Sequence, residues 1–149
     1  MSLELLLRLL ERVHGHLGVL AALALLHPVI LLRSPRRRAR LAVVLAVVLV
    51  SLASGLGAGI YPSYRHLVKP HLFREHETIG WFFERKEHLA VAGTAFAWLG
   101  ALLHLSLPWL PAARRDLAAI VSHRAFVIAC AAVWSVAAIG VAVATVRSF

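Results

Sequence analysis

Four long stretches of this chain carry no Asp, Glu, Lys or Arg, and that feature limits what it can fold into more than any other. They are residues 13–32, 41–60, 89–113 and 125–146, of 20, 20, 25 and 22 residues. A bilayer core about 30 Å thick is crossed by ~20 helical residues, so each stretch is long enough to span it. The 149 residues are 60% hydrophobic with a mean hydropathy of +0.79, which leaves little chain for a water-soluble domain. The expected fold is therefore all-α, an integral membrane four-helix bundle forming one transmembrane domain over residues 1–149. Its spans are expected near 13–33, 41–60, 88–110 and 124–146, with a loop near 61–87.

The N-terminal segment MSLELLLRLLERVHGHLG contains Glu4 and Glu11 and no small-residue cleavage site before the first span. It reads as a retained helix starting near residue 3 behind Ser2 rather than as a leader peptide. The single cysteine, Cys130, lies inside the fourth span. One thiol excludes a disulfide framework, a thiolate zinc site and a CxxCH haem attachment, and Cys130 is expected to pack as a small apolar residue.

The net charge of +9 has a topological meaning rather than a nucleic-acid one. RSPRRRAR places Arg33, Arg36, Arg37, Arg38 and Arg40 in one very short connection, and Arg114, Arg115 and Arg124 border another. Dense basic residues in short loops stay on the cytoplasmic side. Both termini and the 61–87 loop are then external, most naturally in a bacterial inner membrane.

With that topology the histidines sort by depth. His27 lies six residues before Arg33, about 9 Å below the inner boundary at a rise of 1.5 Å per residue. His104 lies at a similar depth in the third span, before Pro108 and Pro111 end it, and His123 is close by at the start of the fourth. On the outer side His14 and His16 enter span one where His88 enters span three. His16 and His27 are eleven residues apart, three turns plus about 20°, so they share a helix face with ~16 Å of rise between them. His88 and His104 are sixteen apart, which turns them about 160° from one another on a regular helix. Small residues recur at Ser51, Gly55 and Gly59 and again at Gly93, Ala97, Gly100 and Ala101. Such stripes admit either a flat macrocycle or a neighbouring helix.

Histidines in two layers, on spans one and three, beside glycine stripes over most of the chain, resemble the four-helix membrane b-type cytochromes that serve quinone-linked respiratory enzymes. The resemblance implies one or two haem b groups, with His27 and His104 as the inner axial pair and His16 and His88 as the outer pair. His14 and His123 are in reserve. It implies electron transfer between quinol and a redox partner, or a place as the cytochrome subunit of a larger complex.

The 61–87 segment adds a second candidate site. Tyr61, Tyr64, Arg65, Lys69, Glu84, Glu87 and His88 put hydrogen-bond donors and proton acceptors at the membrane surface, beside the aromatic run Trp81, Phe82 and Phe83. A quinone headgroup needs donors to its carbonyl oxygens and a base for its protons. Two readings from other classes stay open: a haem-free accessory or anchor subunit, and a small proton-coupled transporter. Expected partners are the lipid bilayer and other subunits, with no nucleic acid. No span contains a carboxylate, which excludes a di-iron bundle. One Met and one Cys disfavour a copper carrier, and no HExxH, GxSxG or glycine-rich phosphate loop occurs.

Overall fold

A computed structural model describes residues 3–34 and 39–146. Every element among them is helical: α1 (Leu3–Leu31), α2 (Arg40–Leu67), α3 (Lys69–Glu75), α4 (Glu77–Ser106) and α5 (Ala112–Val146), with a 3₁₀ turn at Leu107–Trp109 before α5. Between their ends, helices meet their backbone hydrogen-bonding demand internally, which is the condition for crossing lipid. Ser2 and the central arginines Arg36, Arg37 and Arg38 lie outside the described residues.

Four helices, α1, α2, α4 and α5, are long and apolar enough to cross a membrane, and only 22–28% of each apolar window is buried within the protein. The rest faces outward. Leu20, Leu23 and Ile30 of α1, Leu45 and Leu52 of α2, Val91 and Leu102 of α4 and Ile120 and Val141 of α5 are all exposed. That much uncovered apolar surface is stable only against lipid, so this is an integral membrane protein.

The four long helices form a ring in which α1 packs on α2 and α5, and α4 packs on the same two neighbours. The diagonal pairs, α1 with α4 and α2 with α5, do not approach within packing distance among the described residues. The widest interface joins α4 to α5, and small residues account for it. A Cβ on Gly93 would stand 3.0 Å from the Val133 side chain, and one on Gly100 would stand 2.8 Å from the Phe126 ring. Close approach at these glycines replaces the hydrophobic drive that lipid does not supply between helices. The carbonyl of Gly100 also accepts from the Ser122 hydroxyl at 2.8 Å, which satisfies this fully buried serine. These glycines hold a helix, and Phe126, Ala97 and Ala101 fill the remaining space.

Helices run further than hydropathy indicates. α2 continues through Tyr61 to Leu67, and α4 begins at Glu77, so the expected 61–87 loop is almost wholly helical. Charges end an apolar run without ending a helix, since Glu, Lys and Arg are good helix formers. Between these extensions α3 folds back as a cap. Its Leu72, with Val68, Phe83 of α4 and Val143 of α5, makes a second apolar cluster at this loop end of the bundle.

His123 of α5 has a structural task at the other, arginine-bearing end. Its Nε2 lies 3.1 Å from the Val29 carbonyl of α1, one of the last carbonyls of that helix and so without an intrahelical donor. His123 thus closes the end of α1. His123→Ala is expected to destabilise the bundle by about 1 kcal/mol, measured by unfolding in mixed micelles, with no spectral change.

Candidate proton site at the loop end

α2 and α4 run antiparallel, so Tyr61 near the end of one faces Glu87 near the start of the other. The Tyr61 hydroxyl donates to Glu87 Oε2 at 3.2 Å. The second carboxylate oxygen, Oε1, is buried and has no hydrogen-bond partner among the described residues. A buried acceptor left unmatched is unfavourable by about 1–3 kcal/mol, and such groups concentrate where protons or ligands are handled.

His14 of α1 enters the same region one turn deeper. Its Nδ1 lies 3.0 Å from the Ala53 carbonyl of α2. A carbonyl only accepts, so Nδ1 carries the proton and Nε2 keeps its lone pair in the neutral ring. The ring lies over Gly57, where an added Cβ would stand 2.8 Å from His14 Cε1. Gly57 is thus the residue whose missing side chain makes room for the imidazole. Lys86 lies between α4 and α5, its ammonium 5.6 Å from the Phe83 ring centre and 3.8 Å from where a Cβ on Gly140 would stand.

Lys69 of α3 makes an ion pair with Glu84 of α4, which straps the cap across the end of the bundle. Tyr64 stacks on Phe83 with ring centres 5.9 Å apart. The Glu84 carboxylate, with lesser help from Glu87 and Tyr61, raises the Lys69 ammonium above its ordinary pKa. A raised lysine contributes fully below its unfolded value of about 10.4 and loses that contribution as pH climbs through the raised value. Trp81 makes an edge contact with Phe73 of α3 at 5.5 Å, so its fluorescence reports docking of the cap. That signal is expected to hold from neutral pH to about 10, change above it, and lose this alkaline step in Lys69→Met.

The residues expected to ligate haem lie elsewhere. His16 and His27 do share one face of α1, in line with Leu20, Leu23 and Ile30, but that face is exposed to lipid. His16 Nδ1 is committed to the Arg12 carbonyl one turn back at 2.6 Å. His88 is exposed on α4, and His104 is half-buried on the same unbroken helix. Since α1 and α4 are diagonal and the inward positions of α1 belong to Ala21, Leu25 and Pro28, neither His27 with His104 nor His16 with His88 faces its partner across the bundle. Among the described residues no cluster of three or more His, Cys, Asp or Glu is placed to hold a metal ion. The four histidines as arranged do not fit a bis-histidine haem inside the bundle.

Of the residues read as a quinone site, Tyr61 and Glu87 are directly bonded, Lys69 and Glu84 are paired, and Tyr64 borders them, while Arg65 stands exposed on α2. His14, a reserve in the sequence reading, belongs to this site. Gly57 was not singled out, and only the packing of α1 on α2, which seats His14 over it, reveals it. The glycines that were singled out on α2, Gly55 and Gly59, face open space. Comparison of the chain with protein-family models, with curated proteins and with solved structures finds no significant match.

Proposed function

We propose that this protein handles the protons of a quinol at the outer end of its bundle, as a membrane subunit of quinone-linked electron transfer. The observation that carries the reading is Glu87: a carboxylate held between helices, hydrogen-bonded by Tyr61 on one oxygen and unmatched on the other. Ionisable groups enclosed at membrane helices are functional candidates by default. Glu87 is the base for a quinol hydroxyl proton. Tyr61 orients the carboxylate and is placed to donate to a quinone carbonyl. The two electrons of the quinol pass to a metal-centred redox partner in the membrane. Sidedness follows from the arginine-rich connection, which holds the opposite end of the bundle in the cytoplasm.

The test is infrared difference spectroscopy on protein in lipid nanodiscs, with and without a short-tailed ubiquinol. A carboxyl C=O band should appear or shift on binding and should vanish in Glu87→Gln. A spectrum indifferent to Glu87→Gln refutes the assignment. On the same sample the reduced-minus-oxidised visible spectrum is expected not to depend on His27 or His104. A b-type signal lost in His27→Ala or His104→Ala would restore the haem reading.

A further inference from the structure

We propose that the outer face of α4 binds an anionic phospholipid of the leaflet at the loop end. Arg85 and His88 hold its phosphodiester, and its acyl chains lie along the apolar stripe below them. This site is independent of the role given to Glu87.

Positions 81, 85, 88, 92, 95 and 99 of α4 are three or four residues apart, the interval that keeps side chains on one face of a helix. Trp81, Arg85, His88, Ala95 and Leu99 are all exposed on that face. Its polar and apolar members divide at one depth. Trp109, 78% exposed, marks the opposite membrane boundary, as interfacial tryptophans do. Counting back the ~20 residues that cross the hydrocarbon core reaches Leu89. His88 then sits at the boundary at the loop end. Arg85, three residues beyond it, is about 4.5 Å further out, inside the headgroup layer that adds about 5–7 Å to each side of the core. Below the boundary, Ala95 and Leu99 lie about 9 and 15 Å deep, the reach of an acyl chain toward the midplane.

Charge at the headgroup level is unbalanced in the direction a phosphate requires. The nearby carboxylates of α4 are committed elsewhere: Glu84 to Lys69, Glu87 to the Tyr61 hydroxyl, and Glu77 to the Trp81 indole at 3.4 Å. Neither Arg85 nor His88 has a hydrogen bond or ion pair among the described residues. The Tyr61–Glu87 bond also sets Arg65, exposed on α2, level with the turn of α4 just above His88, which adds a second guanidinium at this height. A guanidinium is planar and charged, and it bonds a phosphodiester through two N–H groups at once. His88 supplies a further N–H from the same face. A choline headgroup carries its own cation beside the phosphate and so competes with Arg85 for it. A glycerol headgroup does not, which selects the anionic lipid.

Solid-state NMR of the whole protein in vesicles of one part phosphatidylglycerol to four parts phosphatidylcholine tests this, since the two phosphorus resonances are distinguishable. Carbon–phosphorus recoupling should place the phosphatidylglycerol phosphorus about 4–5 Å from Arg85 Cζ, as a direct N–H···O bond requires. A basic group near the surface gives a preference of about fivefold. Phosphatidylglycerol should then fill the site in about half of the molecules, against about a fifth from random mixing. In Arg85→Gln its share beside the His88 nitrogens should fall to about a fifth, with helicity by circular dichroism unchanged. Arg74, exposed on the short helix α3, should meet the two lipids in their mixing ratio. The mixing ratio at Arg85, an excess at His88 that survives Arg85→Gln, or an equal preference at Arg74 each overturns the site. An Arg85 with no phosphorus within about 6 Å, twice a hydrogen-bond length, overturns it too, and leaves this face to an acidic segment of a partner protein.

Discussion

Glu87→Gln is expected to lower quinol-dependent proton release in proteoliposomes containing the redox partner by about 10²- to 10⁴-fold, the range over which a positioned general base acts. Glutamine keeps the shape of the side chain and a carbonyl oxygen for the Tyr61 hydroxyl, which donates to Glu87 at 3.2 Å. It removes only the ability to take a proton. Tyr61→Phe deletes the orienting bond and leaves the base, so a loss of about tenfold is expected, the equivalent of one hydrogen bond to a charged group. Arg74→Gln, exposed on α3, serves as the control and should change little. The ordering is the test: a Tyr61→Phe loss as large as that of Glu87→Gln would mean the pair acts as a structural bond, with no base at Glu87. Proton release measured with an entrapped pH dye, alongside quinol oxidation rate, separates a defect in chemistry from one in binding.

Gly100→Leu is expected to be the most destabilising single change in the bundle, by about 3 kcal/mol or more, the upper end of overpacking in a filled core. The first carbon alone would stand 2.8 Å from the Phe126 ring and 3.2 Å from the backbone oxygen of Ser122. The ring has little room to turn aside, because Phe126 is fully buried. Backbone cannot yield except by separating α4 from α5, which would also break the Ser122 bond to the Gly100 carbonyl. A Cβ on Gly55 or Gly59 would meet nothing within 4 Å and both glycines are exposed, so Gly55→Leu and Gly59→Leu should stay within about 0.5 kcal/mol of the parent, as surface changes do. Equilibrium unfolding in mixed micelles, followed by tryptophan fluorescence, gives all three values. Equal costs at Gly100 and Gly55 would mean that α4 and α5 do not pack in this register.

The contrast between these glycines shows where sequence reasoning stops. Both sets recur at helical intervals, and both sit in spans of similar composition. In a soluble protein the polar face of each helix would mark the outside. Here lipid and core are both apolar, so hydrophobic periodicity carries almost no signal about which face turns inward. His16 and His27 illustrate the point. Their eleven-residue spacing fixes them on one face of α1, which the structure shows, but that face is the outer one. The loop-end site was more legible, because Tyr61, Tyr64, Lys69, Glu84 and Glu87 stand out as charged and hydroxylated residues beside an apolar run. Their pairing, Tyr61 with Glu87 and Lys69 with Glu84, was not legible, nor was the part of Gly57 and His14.

By itself, then, the sequence determined the properties that depend on position along one chain: four membrane-crossing helices, the breaks at Pro108 and Pro111, the basic connections, and a polar segment between the second and third spans. Tertiary structure decided everything that depends on rotation and on neighbours. It placed α1 diagonal to α4, turned His27 outward, seated His14 over Gly57 and enclosed Glu87 between helices. Length and charge are read by the bilayer one residue at a time, whereas facing is set by how small residues on one helix admit large ones from another.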